Sequence, residues 1–324
     1  MSAPGLPEEW RGKTAYQLIG RENLVRRISD AFPELASLPD AIPAFNILYL
    51  AQNHPAALAI ADDMGTALGC LLLALKLGEQ PNRAARLEWD DSYWTHWGSI
   101  KQVILGGGLV AGLLGKRMLS KAADMLDGLI SLSIADYPTV LSLIGVARLA
   151  LDTHNSVWVF DFGGTNVKRG HPHYDRDVLT HLEQLPSLSV PPFDQADAVF
   201  AFMAQTIAAS ISSYNQQPQP QTLYISVANY AQGCHFADDN PHGHLNNLGA
   251  NLCSLLSEVL SEKLGYPVTV AAFVHDGTAA AKAFAGLSDT TVITVGTALG
   301  MGFPPPNQSL CPLSPTFSIN YLSA

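Results

Sequence analysis

The chain has 324 residues, of which 28 are acidic and 18 are Lys or Arg, so its formal net charge is −10. This balance argues against the clustered basic surface that phosphate-backbone binders need, and we expect no nucleic-acid partner. With 48% hydrophobic and only 14% charged residues, the chain is typical of a folded globular protein and not of a disordered one. Its length predicts two domains.

The N-terminal residues lack a basic stretch followed by an apolar one, so we expect no signal peptide. The most apolar windows, 65–75 and 103–115, are shorter than the roughly 18 residues that a membrane-spanning helix requires. These two observations predict a cytoplasmic protein with no membrane partner.

Residues 14–80 have a helical pattern, which includes an Ala/Leu/Met-rich helix at 56–77 that ends at Gly78. A short apolar strand is predicted at 102–105, followed by a glycine run and a helix at 109–129. A further helix is predicted at 137–151.

The character of the chain changes at Ser156. Strands are predicted at 157–160, 223–227, 268–274 and 291–295, with helices at 196–214, 248–264 and 277–284. Strands that alternate with helices indicate an α/β fold with a largely parallel sheet.

Three glycine turns follow apolar strands. The segment 161–166 (DFGGTN) places a carboxylate at a strand end before a Gly-Gly turn, where backbone N–H groups can approach an anion. Such a carboxylate suits Mg²⁺, usually through water. The alternative is an ordinary tight hairpin, for which Gly-Gly is equally suitable.

The second turn is 294–302 (TVGTALGMG) and the third is 104–109 (ILGGGL). The third also satisfies G-x-G-x-x-A through Gly106, Gly108 and Ala111. A dinucleotide-binding Rossmann unit would require a following strand with an acid at its tip, and the acids here fall in a helical pattern. A nicotinamide-dependent oxidoreductase is therefore the least favoured alternative.

The segment 273–281 (FVHDGTAAA) places Asp276 at a strand end directly before a helix of small residues. Asp is a common N-cap, so a purely structural role is one interpretation. The other is a carboxylate that faces a hydroxyl in a cleft.

Together these segments resemble the sugar kinase/Hsp70/actin superfamily, and most closely its ROK and glucokinase-like sugar kinases. Segment 161–166 resembles the phosphate-1 turn, 275–280 the first connecting helix with the catalytic base, 295–302 phosphate-2 and 104–108 the adenosine motif. The helix at 62–75 resembles the second connecting helix, and 143–150 the closing helix.

The motifs occur in a rotated order. The family runs from phosphate-1 to the closing helix, whereas this chain begins with the second connecting helix and ends with phosphate-2. Joining Ala324 to Met1 restores the family order, so the resemblance implies a circular permutant, which close surface termini make tolerable. It implies two ribonuclease H-like (actin-like ATPase) domains around a nucleotide cleft: 1–137 plus 287–324 with phosphate-2 and adenosine, and 138–286 with phosphate-1 and the acceptor site.

The resemblance implies ATP and Mg²⁺ as cofactors, Asp161 as the metal-positioning carboxylate and Asp276 as the general base. The residues that it assigns to nucleotide binding are Gly163, Gly164, Thr165 and Asn166 of the first turn, Gly296, Thr297 and Gly300 of the second, and Gly106, Gly107 and Gly108 of the third. The chain departs from the ROK pattern because His275 stands where Asn is usual, Ala298 stands where Gly is usual, and no Cys-rich zinc segment is present.

A small-molecule acceptor needs convergent polar side chains, and the segment after strand 223–227 is rich in them. The candidates for acceptor binding are Asn229, Asp239, Asn246 and Asn247, with a solvated loop as the alternative. Cys234, His235, His242 and His244 could form a metal cluster, but their spacing matches no structural zinc pattern, so this alternative is little favoured.

Two functions remain open. The first is an ATP-dependent sugar kinase. The second is an ATPase or nucleotide sensor of the same fold that acts on a protein partner, which the low charge content favours because it suggests an interface. A homodimer is also compatible with that composition.

Overall fold

A computed structural model describes residues 2–38, 40–151, 156–193, 195–214, 218–229, 231–232, 235–236, 245–246, 248 and 251–323. The chain divides into two compact units. The first comprises Met1–Thr139 and Ser288–Gly300, and the second comprises Val140–Leu287 and Met301–Ala324. Each contains a β-sheet with helices, so the expected mixed α/β class is confirmed.

The first unit is mostly helical. Its helices are α1 (Ala15–Ile19), α2 (Arg21–Ala31), α3 (Ala41–Phe45), α4 (Pro55–Leu77), α5 (Gln80–Ala84), α6 (Asp91–Ser99) and α7 (Gly112–Leu126). Its strands are β1 (Gln102–Gly106), β2 (Ser131–Ile134) and β10 (Thr290–Val295), and β11 (Leu299–Gly302) completes a four-stranded sheet of order β11-β10-β1-β2.

Helix α4 is the central helix of the first unit. It starts at Pro55, ends at Gly78 in the left-handed conformation, and has most of its Ala and Leu side chains buried. Its 23 residues are long and apolar enough to span a bilayer. The apolar window 65–75, which covers only part of this helix, did not indicate this. However, 61% of its most apolar window is buried by the rest of the chain, which is usual for a core helix.

The second unit is built on a larger sheet. Its strands are β3 (Ser156–Phe162), β4 (Asn166–Asp175), β5 (Val178–Ser189), β6 (Gln221–Val227), β9 (Val268–His275) and β12 (Leu313–Tyr321), in the order β12-β5-β4-β3-β6-β9. A two-stranded ribbon is formed by β7 (Ala231–Gln232) and β8 (His235–Phe236). The helices are α8 (Leu141–Ala147), α9 (Ala196–Tyr214), α10 (Leu252–Leu264) and α11 (Asp276–Lys282).

Strand β3 lies in the middle of this sheet, which explains its continuous apolar sequence. It pairs antiparallel with β4 and parallel with β6, and β6 pairs parallel with β9. Trp158, Phe160 and Phe162 are fully buried and form one core cluster with the apolar faces of α9 and α10. A central strand that is covered on both faces exposes no side chains to solvent, so its sequence does not alternate between apolar and polar residues.

Helices α8 and α11 pack closely within the second unit. A Cβ placed on Gly145 would lie 1.6 Å from the carbonyl oxygen of Ala279, so only glycine allows this approach. The buried guanidinium of Arg148 then donates to the carbonyl oxygens of Lys282, Ala283 and Cys311. This side chain therefore bonds to two carbonyls at the C-terminus of α11, where the regular helical hydrogen bonds end, and links them to Cys311.

The structure differs from the sequence expectations at several elements. Strands β2, β5 and β12 were not predicted, and α8 is shorter than the helix expected at 137–151. The segment 301–324 was expected in the first domain, but β12 pairs in parallel with β5 in the second unit. Beyond this reassignment, the functional labels of the two domains stay predictions.

Candidate functional site

Three neighbouring parallel strands of the second unit end at the same edge of the sheet. The register places Asp161 of β3 opposite Ser226 of β6, and Ser226 opposite Val274 of β9. The next pair in register, Val227 and His275, brings His275 and the following Asp276 to the edge where Asp161 and Ser226 lie. The carboxyl ends of adjacent strands are where α/β sheets place ligands.

Asp161 is a buried carboxylate that accepts hydrogen bonds from two side chains. Its Oδ2 lies 2.9 Å from Nζ of Lys168, and its Oδ1 accepts a 2.6 Å hydrogen bond from the hydroxyl of Ser226. Only 4% of the Asp161 side chain is exposed. Burial opposes the charged form of Lys168, but the attraction of Asp161 prevails and raises the pKa of the lysine.

Asp276, the first residue of α11, is the second carboxylate of this site. Burial, and then the negative charge of Asp161, raise its pKa from 3.8 to about 7, although the Gly277 N–H and Lys168 act in the opposite direction. Its Oδ1 accepts from the backbone N–H of Gly277 at 2.6 Å. A quarter of the side chain remains exposed, and no described residue makes a hydrogen bond to its Oδ2.

His275 connects the end of β9 to this carboxylate. Its Nδ1 accepts from the backbone N–H of Thr278, which makes it the N-cap of α11. Since burial lowers its pKa to about 4, the ring is neutral at pH 7, and the proton must then lie on Nε2. Nε2 is 3.1 Å from Oδ1 of Asp276, so the imidazole donates to the carboxylate.

The first glycine turn closes a tight hairpin between β3 and β4, which is the alternative to an anion-binding turn that the sequence left open. Phe162 pairs with Val167, and the N–H of Gly163 donates to the carbonyl of Asn166 at 3.1 Å. Gly163 does not adopt a positive φ. Its N–H is therefore already used, and an anion would compete with Asn166 for it.

The other two turns lie together in the first unit. Gly107, at the end of β1, has φ +94°, and a Cβ there would lie 2.3 Å from the carbonyl oxygen of Val295 at the end of β10. The adjacent parallel strands β1 and β10 are aligned so that Gly106 faces Thr294. The candidate adenosine and phosphate-2 turns are thus neighbours at one sheet edge.

Backbone contacts hold the phosphate-2 turn. The N–H of Gly296 donates to the carbonyl of Ala298, and the carbonyl of Gly296 accepts from the N–H of Arg21 at the start of α2. Gly300 lies in β11, and Gly108 begins a short 3₁₀ turn before α7. The assignment of these residues to nucleotide binding stays a prediction.

The acceptor candidates have different surroundings. Asn229 is buried just after β6. The amide of Asn246 donates to the carbonyl of Phe236 at 2.6 Å and accepts from its N–H at 3.0 Å, so it holds the short β7–β8 ribbon. Asp239 and Asn247 lie outside the described residues, as do Cys234, His242 and His244.

Lys168 and Ser226 were not singled out in the sequence. The pairing of Lys168 with Asp161 follows from the hairpin register, since a turn at 163–166 places 161 opposite 168. If the segment had been treated as a hairpin, counting outward from the turn would have paired Lys168 with Asp161. No comparable local signal exists for Ser226, because the β3–β6 pairing is long-range.

The donor set of this site suits Mg²⁺ held through water. Asp161 and Asp276 are hard oxygen ligands of the kind that Mg²⁺ prefers. Both oxygens of Asp161 already accept hydrogen bonds, which fits an ion that keeps its own waters. Burial, and after it the negative charge of Asp161, raises the pKa of Asp276, and an added cation would relieve the repulsion between the two carboxylates.

Comparison with known proteins gives partial matches to solved structures. Neither a protein-family model nor a curated protein matches the chain. The inorganic polyphosphate/ATP-glucomannokinase from Arthrobacter sp. strain KM is 22% identical with a TM-score of 0.34, over 49% of this chain and 61% of that chain. The ethanolamine utilization protein EutJ from Carboxydothermus hydrogenoformans is 15% identical with a TM-score of 0.29, over 53% of this chain and 61% of that chain.

A third match is a Listeria monocytogenes protein described as a candidate N-acetylmannosamine kinase, which is 21% identical with a TM-score of 0.24, over 38% of this chain and 36% of that chain. The aligned parts span less than two thirds of each of the three proteins. Two of the three matched proteins are described as kinases and the third as an ethanolamine utilization protein.

Proposed function

We propose that the chain transfers the γ-phosphoryl group of ATP to a hydroxyl of a small molecule, a sugar or sugar derivative, with Asp276 as the general base. One observation carries the proposal. A partly exposed carboxylate with its pKa raised to about 7 lies beside a buried Asp161–Lys168 pair at the carboxyl end of parallel strands. A base with this pKa is half deprotonated near neutral pH, where proton transfer is most efficient.

The proton is taken by Oδ2 of Asp276, because Oδ1 already accepts from Gly277 and His275. The acceptor oxygen bonds to the γ-phosphorus as the bond from that phosphorus to ADP breaks. In such transfers, positioning and charge neutralisation supply most of the rate. Lys168 contributes a positive charge, and Mg²⁺ positioned by Asp161 would neutralise phosphate charge.

The glycine turns are the proposed nucleotide contacts. Gly163, Gly164, Thr165 and Asn166 are assigned to the phosphates, together with Gly296, Thr297 and Gly300, while Gly106, Gly107 and Gly108 are assigned to the adenosine. The placement of Gly107 against Val295 supports the second and third assignments, since it brings two of these turns to one sheet edge.

Circular permutation is part of the proposal. In the first unit, β10 lies beside β1 although 183 residues, 107–289, lie between the two strands along the chain. In the family order, the strand that carries phosphate-2 comes before the strand that carries the adenosine motif. In this chain the phosphate-2 strand, β10, comes after the adenosine strand, β1, as a circular permutation would produce. We also propose a cytoplasmic location, with no nucleic-acid or membrane partner.

The experiment is ADP release from Mg-ATP across a panel of hexoses and N-acetylhexosamines, for the wild type and Asp276→Asn. We expect acceptor-dependent turnover that falls by about 10²–10⁴-fold in the variant, which is the usual contribution of a general base. Asp91→Asn is the matched control, because Asp91 lies on the surface of α6 with 97% of its side chain exposed.

Nucleotide binding separates the proposal from its alternative. ATP should raise the melting temperature of both the wild type and Asp276→Asn. If ATP raises it but no acceptor increases ADP release, the chain is an ATPase or nucleotide sensor that acts on another partner. If ATP has no effect, the nucleotide assignment is wrong.

A further inference from the structure

A second group of titratable side chains lies on the β4–β5 hairpin. His171 and His173 alternate along β4, and His181 and Glu183 alternate along β5. The antiparallel register pairs His171 with Glu183 and His173 with His181. Since alternate residues of a strand share a face, these four side chains form a two-by-two grid on one face of the sheet.

Three of the four side chains converge. Nδ1 of His171 lies 3.3 Å from Nε2 of His173, and that same Nε2 lies 3.2 Å from Oε2 of Glu183. One ligand atom from each of the three residues lies within 4.8 Å of the other two. A tetrahedral ion with bonds of about 2.0–2.1 Å requires donor atoms about 3.3 Å apart, so the two shorter separations match the edges of such a site.

We propose that His171, His173 and Glu183 bind one divalent transition-metal ion of the Zn²⁺ class, with His181 or water as the fourth ligand. Two imidazoles and one carboxylate suit Zn²⁺, Co²⁺ or Ni²⁺, whereas Mg²⁺ and Ca²⁺ prefer oxygen donors only. The ring of His181 stacks on that of His173 at a centroid distance of 4.1 Å, so it packs against one of the proposed ligands.

Neighbouring groups orient these ligands. The hydroxyl of Ser156 lies 3.0 Å from Nε2 of His171, where it can accept the Nε2 proton and leave the lone pair of Nδ1 for the metal. The hydroxyl of Tyr214 donates to Oε2 of Glu183, and the ring of Tyr214 stacks on His171. Partners of this kind fix the tautomer and ring orientation of metal-binding histidines.

This cluster is separate from the candidate kinase site. His171 contacts Trp158 and Tyr214, which belong to the side of the sheet that α9 covers. Lys168 points to Asp161 from the alternate position of β4 and does not belong to that side. About a third of the His173 side chain is exposed, so an ion can reach the cluster from solvent.

The test uses the full chain after treatment with a chelator, titrated first with Co²⁺ and then with Zn²⁺. We expect one ion per chain by elemental analysis, the intense visible absorption of four-coordinate Co²⁺, and its loss as Zn²⁺ displaces Co²⁺. Zn²⁺ should also raise the melting temperature, because a ligand that binds only the folded state stabilises it. None of these measurements depends on phosphotransfer.

Variants locate the ion. His173→Asn and Glu183→Gln should each weaken Zn²⁺ binding by about 100-fold or more, since even outer partners of metal ligands contribute 10–100-fold. Ser156→Ala removes only the orienting hydroxyl and should weaken binding by about 10-fold. The double variant His242→Ala/His244→Ala and the variant His96→Asn are controls that should bind as the wild type does.

Failure of the wild type to bind Co²⁺ or Zn²⁺ would overturn the proposal. It is equally overturned if the His242/His244 variant loses the ion while Glu183→Gln retains it. Melting curves in chelator show whether each variant folds. If His173→Asn does not fold, Glu183→Gln and the wild-type Co²⁺ spectrum still decide the question.

Discussion

Nζ of Lys168 lies 2.9 Å from Oδ2 of Asp161, across the hairpin that joins β3 to β4. An ion pair of the same 2.9 Å length joins Lys101 to Asp289, but there the side chains are 77% and 43% exposed, against 28% and 4%. The two ion pairs have the same N–O distance but differ in burial, so they contribute differently to stability. The exposed pair is screened by water, whereas the buried one offsets a carboxylate that cannot be solvated.

Lys168→Met should destabilise the second unit by about 3 kcal/mol at pH 8, because it leaves the Asp161 charge buried without a cation. Lys101→Met, the matched control, should cost less than about 1 kcal/mol. Urea denaturation measures both. Equal losses for the two variants would show that burial does not distinguish the pairs.

The same Lys168→Met variant should shift the pH dependence of phosphotransfer. The positive charge of Lys168 lowers the pKa of Asp276, so its removal lets that pKa rise above about 7. The acid limb of the rate profile should then move to higher pH by about one unit. An unchanged limb would mean that Asp276 does not control the rate.

Asp276→Asn should stabilise the folded chain at pH 8. The pKa of Asp276 rises from 3.8 in the unfolded state to about 7 in the folded state, so the folded state holds this proton more tightly. The ionised carboxylate therefore costs stability above pH 7, and that cost disappears as the pH falls towards 4. We expect a gain of about 2–4 kcal/mol at pH 8 that shrinks as the pH is lowered. A gain that is independent of pH would contradict the assignment.

Replacement of His275 should separate its capping role from its charge. His275→Ala removes the acceptor for the Thr278 N–H and should cost about 1–2 kcal/mol, whereas His275→Asn supplies a new cap and should cost less. The folded pKa of His275, about 4, lies below its ordinary value of 6.5, so the wild type loses stability from this group as the pH falls between those values. Urea denaturation at pH 7 and pH 5 should show that His275→Asn lacks this loss. Equal stability of the Ala and Asn variants would argue against the cap.

Two adjacent glycines of the first unit provide a matched pair. Gly107→Ala should destabilise this unit by at least about 2 kcal/mol, because φ is +94° and the new Cβ would meet the Val295 carbonyl at 2.3 Å. Gly108→Ala should change stability by no more than about 0.5 kcal/mol, since no atom lies within 4 Å of its Cβ position. Thermal unfolding of both variants measures the difference, and similar values would show that the turn can rearrange.

Much of the α/β pattern could be predicted from the sequence because it is local. The apolar run of β3, the Ala/Leu/Met-rich α4 and the left-handed stop at Gly78 all lie where periodicity and composition placed them. The missed strands carry weaker local signals. In β12, every residue is at least partly exposed and the segment contains a proline, so it resembles a loop until it pairs with β5.

The sequence by itself determined which residues could do chemistry, because carboxylates at strand ends and glycines in turns are properties of short segments. Only the tertiary structure decided which of them meet. The contact of Ser226 with Asp161 and the approach of Gly107 to Val295 depend on the pairing of distant strands. The raised pKa of Asp276 depends on burial and on a carboxylate 115 positions away, because solvation and Coulomb energies follow distance in space and not along the chain.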